Sequence, residues 1–430
     1  VDLMLRSFRL GNHRSFRDEH ELLLMPAYSK DRDVLPVAAI YGANASGKSN
    51  LLDGLRFMAN AVRDSFAVWT HDGGVPRQPF KLDDSSGRPS VYVVELIESG
   101  VRYTYGFEVD DQWVREEWLY SYPEKRKRVL FERVGSEIKF GTTVAEGTAV
   151  GEALRGLLRP NSLFLSLGAQ SGLSAVLPVQ QWFAHKLVFR AEVRADFDHS
   201  MITRFLRANA RSTEQLVSLL RVADLGITGI RYDEAREPDD DEVLELSRVL
   251  KSGPPEEQVR ELLRHFLQRQ ERVQLTHGSL NRPFDIEEES AGTQSWLMLL
   301  PTVLLMLRDG GTLAVDEIDA SLHPRLTAAL VGLFRSAEVN TGGAQLLFTT
   351  HDASLLSPVL GNEVLTREDV WFVDKTPEGA SDLYSLTDFK PRKEGENLER
   401  RYLGGSYGAV PDVEADAFVS AVLRGADDAA

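Results

Sequence analysis

The stretch "YGANASGKSN", Tyr41 to Asn50, decides the fold. Gly42, four residues, then Gly47-Lys48-Ser49 is the spacing at which backbone N–H groups close around phosphates, a lysine reaches the outer phosphates and a hydroxyl ligates Mg²⁺. The flanks supply the context that this chemistry needs. Upstream, "LPVAAIYG" is a short apolar strand. Downstream, "KSNLLDGLRFMANAV" puts Leu51, Leu52, Leu55, Met58, Ala59 and Val62 on one helical face. Strand, glycine loop and helix in this order predict an α/β nucleotide-binding domain. Its expected binding residues are Gly42, Asn44, Ser46, Gly47, Lys48, Ser49 and Asn50.

Working outward, the 430 residues suffice for one large domain with insertions or for two or three smaller ones. A composition of 43% hydrophobic and 27% charged residues is that of a soluble globular chain. The absence of cysteine excludes disulfides and thiolate metal sites and fits a reducing, cytoplasmic setting. No signal peptide is expected. The apolar run Trp296–Leu307 contains Pro301 and is too short to span a bilayer, so it reads as a buried helix, and no membrane partner is expected. A net charge of −16 argues against a surface coated for non-specific nucleic-acid binding. Two local basic stretches, "EKRKRVLFER" (Glu124–Arg133) and Arg190–Arg211, read as solvated faces of a strand and a helix, with a DNA-contacting groove as the other reading.

The apolar–polar alternation of "MLRSFRLGNHRSFRDEHELLL" predicts a hairpin or two sheet strands. Between Pro89 and Phe140, "VYVVELI", "VRYTYGFEV", "VREEWLYSY", "KRVLFERV" and "EIKF" predict an antiparallel meander. From about Val150 to Asn281 helical periodicity dominates, broken by "DEAREPDDDE" and "SGPPEE", without sustained heptads. Strand and helix alternate again afterwards, and a polar tail beyond Lys390 ends in one short helix. The expected organisation is therefore a head in two pieces (1–88 and 282–390), a β-subdomain (89–149), a mostly helical insertion (150–281) and a tail (391–430).

"TLAVDEID" is an apolar strand ending in carboxylates, which avoid such burial unless a cation compensates them. Asp316 is the expected Mg²⁺ ligand, together with Ser49, and Glu317 the group that orients or deprotonates an attacking water. "QLLFTTHD" brings His351 to another strand end, where it could sense a terminal phosphate.

Taken in order, Gly42–Ser49, Ser290-Ala291-Gly292-Thr293-Gln294, Asp316-Glu317, "ASLHP" and His351 resemble the ABC-type ATPases, in particular the non-transporter branch with SMC-like repair and chromosome ATPases. The resemblance covers the head segments. It implies an ABC-type P-loop head with ATP and Mg²⁺ as cofactors, and a homodimer or higher oligomer with ATP at its interface. Ser290 and Gly292 would then form the signature turn that binds the nucleotide of the opposite subunit. Asp319 would open the D-loop, His351 would be the switch histidine, Arg14 of "NHRSF" would approach the phosphates, and Gln78 would be the Q-loop metal ligand. Thr293-Gln294 departs from the transporter form of the signature.

"DEIDASLHP", "TTHDASLL", "PFKLDDSS" and "LYSLTDFKPRKEGENLERRYLGGSYGAVP" further resemble stand-alone bacterial ATPases of abortive-infection systems (the RloA-like group), kin to the overcoming-lysogenization-defect ATPases. This implies a role in anti-phage defence beside an effector. "VWFVDKTPEG" reads as the last strand of the head, not the start of a Toprim nuclease, so a nuclease or toxin effector is expected to be a separate chain. A DNA-repair ATPase of SMC type is the alternative, and a transporter nucleotide-binding subunit, a small-molecule kinase and a non-hydrolysing scaffold are rivals.

Overall fold

The computed structural model describes residues 4–28, 32–144, 153–190, 199–208, 210–223, 226–233, 240–249, 255–268, 272–360, 363–391 and 397–411. The alternating start of the chain forms β1 (Met4–Gly11) and β2 (His20–Leu23), paired antiparallel as Ser7↔Leu23 to Leu10↔His20. The apolar run that follows is β3 (Val37–Tyr41), buried at every position as a strand covered on both faces must be. The glycine loop leads from it into α1 (Lys48–Asp64), whose apolar face is buried.

The meander forms β4 (Ser90–Glu98), β5 (Val101–Val109), β6 (Val114–Tyr122), β7 (Arg128–Val134) and β8 (Glu137–Phe140). It does not stand alone. β1 pairs antiparallel with β4, so among the described residues one antiparallel sheet runs β2-β1-β4-β5-β6-β7-β8 and joins the N-terminal hairpin to the β-subdomain. Residues 124–128 of the basic stretch are exposed in the β6–β7 connection. Part of the Arg190–Arg211 stretch lies outside the described residues, as does the end of the tail where a short helix was expected.

A second sheet has the order β16-β15-β3-β14-β13-β9, with β9 (Leu187–Arg190), β13 (Thr312–Val315), β14 (Gln345–Thr349), β15 (Val370–Lys375) and β16 (Ser381–Ser385). All neighbours from β15 to β9 are parallel, and β16 returns antiparallel on β15. The strand of "VWFVDK" is therefore not the last of the head, because the Thr376–Ala380 turn carries the chain back to one further edge strand. Its short apolar run gave no sign of a partner beyond it.

The chain divides into two compact units. One comprises Val1–Ala191, Met306–Asp319 and Thr327–Ala430, the other Glu192–Leu305 and Ala320–Leu326. This corrects the expected boundary at 150. The helices α2 (Phe164–Gln170) and α3 (Leu177–Gln181) belong to the first unit, where α2 packs with α1 and α3 with α2, and β9 completes its parallel sheet. Periodicity marks a helix but does not say which core its apolar face joins. Here Phe164, Leu165, Leu167, Val179, Trp182 and Phe183 are buried in the core around α1.

The second unit holds α4 (His199–Ala208), α5 (Ala210–Val222), α6 (Asp240–Val249), α7 (Glu256–Gln268) and most of α8 (Ala291–Asp309). It also contains an antiparallel sheet absent from the helical expectation, β10 (Ile227–Asp233), β11 (Arg272–His277) and β12 (Arg282–Asp285). α8 is the anticipated buried apolar helix and keeps Pro301 inside, and α9 (Pro324–Arg335) follows β13. No helix among the described residues is long and apolar enough to cross a membrane.

An ion pair with no exposed side-chain surface ties the β-subdomain to α2. Glu117 accepts hydrogen bonds from the amides of Phe164 (2.6 Å) and Leu165 (2.8 Å) and from the Tyr105 hydroxyl (3.0 Å), with Arg133 at 3.4 Å. Burial pushes the Glu117 carboxyl up, while Arg133 and the two amides pull it down. Removing one partner of such a pair strands the other, so Glu117→Ala is expected to cost about 3–5 kcal/mol. The exposed neighbour Glu116→Ala should cost less than about 0.5 kcal/mol. Urea unfolding followed by tryptophan fluorescence measures both.

Candidate functional site

Parallel neighbours put the carboxyl ends of β3, β14 and β13 at one edge of the sheet, the edge at which open α/β sheets gather ligands. β3 delivers the glycine loop there. Gly42 has φ 156°, and a Cβ on it would lie 2.3 Å from the Val373 carbonyl oxygen, so only glycine fits. The Lys48 ammonium donates to the carbonyls of Gly42 (2.9 Å) and Ala43 (3.1 Å). Burial lowers its pKa to about 8, against the opposing pull of Glu317, Asp316 and Asp319.

β13 delivers the carboxylates. Asp316 Oδ1 accepts from the Ser49 hydroxyl at 3.0 Å and from the Thr349 hydroxyl at 2.6 Å. Thr349 in turn accepts the Glu317 amide at 2.7 Å, and its carbonyl takes the Ile318 amide at 3.1 Å. Glu317 itself stands at φ 51°, a strained conformation for a residue with a side chain. β14 delivers His351, whose amide donates to Asp319 Oδ2 at 3.3 Å, and Asp319 Oδ1 is buried without a partner. Burial and the Lys48 ammonium hold the His351 imidazole below its ordinary pKa, which favours the neutral ring at pH 7.

The loop is buttressed from both ends of the chain. Asn50 Nδ2 donates to Ser15 Oγ at 2.7 Å, the Ser15 and Ser381 hydroxyls lie 2.7 Å apart, and Ser381 Oγ donates to the Ser46 carbonyl at 2.5 Å. Asn44 is exposed at the tip of the loop. Arg14, at φ 49°, pairs with Asp53 of α1 at 2.5 Å, and its amide donates to the Gln78 carbonyl at 2.6 Å. Burial raises the Asp53 carboxyl, but His13 and Arg14 outweigh it and hold the pKa below the ordinary value. Gln78 thus meets Arg14 through its backbone. Among the described residues, no contact joins its side chain to Ser49 or Asp316.

In the second unit, Ser290 precedes α8 and its hydroxyl accepts the Thr293 amide at 3.2 Å, an N-cap. A Cβ on Gly292 would lie 2.7 Å from the Ser321 carbonyl oxygen, so the turn and the "ASLHP" loop require a glycine where they meet. Gln294 Nε2 donates to the carbonyls of Ile286 and Glu289, both at 3.0 Å, and fixes the entry to the turn. Ser290 is exposed.

Ser49 and Asp316, 3.0 Å apart, are the hydroxyl and carboxylate that could hold a Mg²⁺ ion. Mg²⁺ is commonly held by one or two carboxylates, with substrate phosphates and water completing its shell. Reading the sequence missed Thr349, Ser15, Asp53 and Ser381. Thr349 stood inside the quoted "QLLFTTHD", but a threonine ending a strand has no signature of its own. Thr349→Val keeps the shape of the side chain and deprives a part-buried amide and a carboxylate of their partner. It is expected to destabilise the nucleotide-free protein by about 1–3 kcal/mol, read as a lower thermal midpoint in calorimetry.

The family model described as "AAA domain, putative AbiEii toxin, Type IV TA system" matches residues 37–357, well over half of the chain. Among curated proteins none matches it in sequence. Among solved structures, the SMC head domain from Thermotoga maritima is 13% identical, with a TM-score of 0.40 over 89% of this chain and 98% of that one. An SMC head bound to the C-terminal winged-helix domain of ScpA is 14% identical, with a TM-score of 0.42 over 90% and 99%.

Proposed function

We propose that the chain, which belongs to this AAA-domain family, binds and hydrolyses ATP at the edge formed by β3, β13 and β14. The observation that carries the reading is the 3.0 Å contact of Ser49 with Asp316, residues 267 positions apart, beside a lysine held within the glycine loop. In this reading Lys48 leaves the Gly42 and Ala43 carbonyls for the β- and γ-phosphates, and the loop amides from Gly42 to Ser49 receive the remaining phosphate oxygens. Ser49 and Asp316 would hold Mg²⁺, which when bound would neutralise charge on the transferred phosphoryl group. Glu317 orients the attacking water and accepts its proton. His351, as the neutral ring, donates a hydrogen bond to the γ-phosphate, and Asp319 holds its backbone in place.

The signature turn extends the reading to a second copy of the chain. Ser290 is exposed, and its turn opens a long helix whose N-terminus favours anions. We assign Ser290 and Gly292 to the nucleotide of a partner subunit, so that ATP joins two chains and hydrolysis releases them. On the sequence resemblance to stand-alone ATPases of abortive-infection systems, we assign the chain to a bacterial anti-phage switch acting through a separate nuclease or toxin. An SMC-like DNA-transaction ATPase is the alternative, and its mark would be stimulation of hydrolysis by DNA.

Glu317→Gln is expected to lower kcat by a hundredfold or more, on the scale of about 10²–10⁴ for a general base, and to accumulate an ATP-dependent dimer in analytical ultracentrifugation. A monomer at saturating ATP sinks the two-subunit reading. Ser290→Arg should leave ATP binding to the single chain intact while hydrolysis and pairing are lost; normal hydrolysis would reduce the turn to a helix cap.

The lowered pKa of Lys48 gives a pH test. Bound phosphates favour the charged ammonium, so above about pH 8 binding must take up a proton. Affinity for ATP is therefore expected to be full below that pH and to fall by up to about tenfold per unit above it. Calorimetric titrations between pH 7 and pH 9.5 read this directly, and a flat profile would exclude Lys48 from the phosphates.

A further inference from the structure

The C-terminal stretch "LERRYLGGSYGAVP" takes no part in the chemistry above, yet it docks against the loop that does. Its helix α10 (Leu398–Leu403) is capped by Asn397, whose Oδ1 accepts the Arg400 amide at 2.8 Å. Tyr402, in that helix, is buried. Its ring lies edge-on to Tyr41 at 5.3 Å between centroids and stacks on Phe372 at 5.6 Å. Tyr41 is the last residue of β3, and Phe372 is its register partner on β15. Tyr402 is thus seated where the strand becomes the glycine loop.

The polar end of Tyr402 closes its own segment. Its hydroxyl donates to the Ala409 carbonyl at 3.2 Å. Burial raises the phenol to about 12. On its other side α10 packs against Ala353–Leu356, the turn that follows His351 and Asp352. The Tyr41 hydroxyl donates to the Asp352 carbonyl at 3.1 Å, so one small cluster touches the start of the glycine loop and the segment after the histidine. The rest of the stretch is pinned separately. The Ala409 amide donates to Asp374 Oδ2 at 2.8 Å, the Tyr384 hydroxyl donates to the Tyr407 carbonyl at 2.8 Å, and the Tyr407 ring stacks on Phe372 at 5.7 Å.

We propose that Tyr402 is a positioning residue for the nucleotide: packed on Tyr41 and Phe372, it holds the strand-to-loop turn in the shape that receives phosphates. The inference rests on the ATP reading above and adds the C-terminal segment to that site. Linkage then works in both directions. If docking of the segment favours nucleotide binding, bound nucleotide must tighten the docking by the same factor.

The test uses the full chain, a fluorescent ATP analogue and amide hydrogen exchange. Tyr402→Phe keeps the ring and loses the hydroxyl. It is expected to raise the Kd for the analogue and the KM for ATP about three- to tenfold, the scale of one hydrogen bond, with kcat at saturation little changed. Tyr384→Phe, which removes a bond of the same segment that does not involve Tyr402, should leave both constants alone. In the unaltered chain ATP should slow exchange across residues 398–410, and this protection should shrink in Tyr402→Phe. Normal affinity in Tyr402→Phe, or equal losses in Tyr402→Phe and Tyr384→Phe, would overturn the assignment while leaving the ATPase reading intact. An unaltered chain that binds no analogue would overturn both. Should Tyr402→Phe fail to fold, exchange in the unaltered chain decides, and unchanged protection with ATP refutes the proposal.

Discussion

Asp316 Oδ1 receives two hydroxyl protons, from Ser49 at the first turn of α1 and from Thr349 at the end of β14. No short-range preference brings these residues together. They meet because β13, β14 and β3 run parallel in register, Thr312 opposite Gln345 and Leu346 opposite Val37, so that three strands end at one level. A parallel sheet needs crossovers that cover its faces, and α1 is one of them. The rest of the site depends on this alignment. A strand displaced by one residue would turn Asp316 or Thr349 to the opposite face and leave the carboxylate without its donors.

The glycine loop also depends on both termini of the described chain. Ser15, between β1 and β2, and Ser381, at the start of β16, meet each other and hold Ser46 and Asn50. The loop is therefore a part of the tertiary structure and not a local motif that folds by itself. Loops that bind anions pay an ordering cost when they close, and a loop already held by neighbours pays less of it. The hydroxyl groups suit this role because each accepts and donates within one short chain of bonds.

Much of this was legible in the sequence where the chemistry is local. Gly42, Lys48 and Ser49 sit in a contiguous spacing with one mechanical meaning, and the period-2 pattern of the meander marks its strands directly. What was not legible is the choice of partners. The apolar faces of Phe164–Gln170 and Leu177–Gln181 read as helix but not as members of the core around α1, so the boundary of the insertion was drawn too early. The β10–β11–β12 sheet lay hidden because its strands are short and separated by helices, one pair of them between β10 and β11. Thr349 and Ser381 are small polar residues with no pattern of their own, and only the folded sheet gives them a role. Arg14 was expected near phosphate, and its observed partner is Asp53, a residue that carries no motif.

Glu317 brings these constraints together. Its φ of 51° costs a side-chain-bearing residue about 1–3 kcal/mol, a cost that glycine would not incur. The conformation persists because the surroundings fix it. The Glu317 amide is held by the Thr349 hydroxyl and the next amide, that of Ile318, by the Thr349 carbonyl, so one residue of β14 determines both peptide groups of the turn. Backbone geometry at this turn therefore favours glycine on stability grounds alone. A carboxylate stands there instead, next to the residue shared by Ser49 and Thr349. The strain has no structural return in the turn itself, which supports the role proposed for Glu317 in the chemistry of the site.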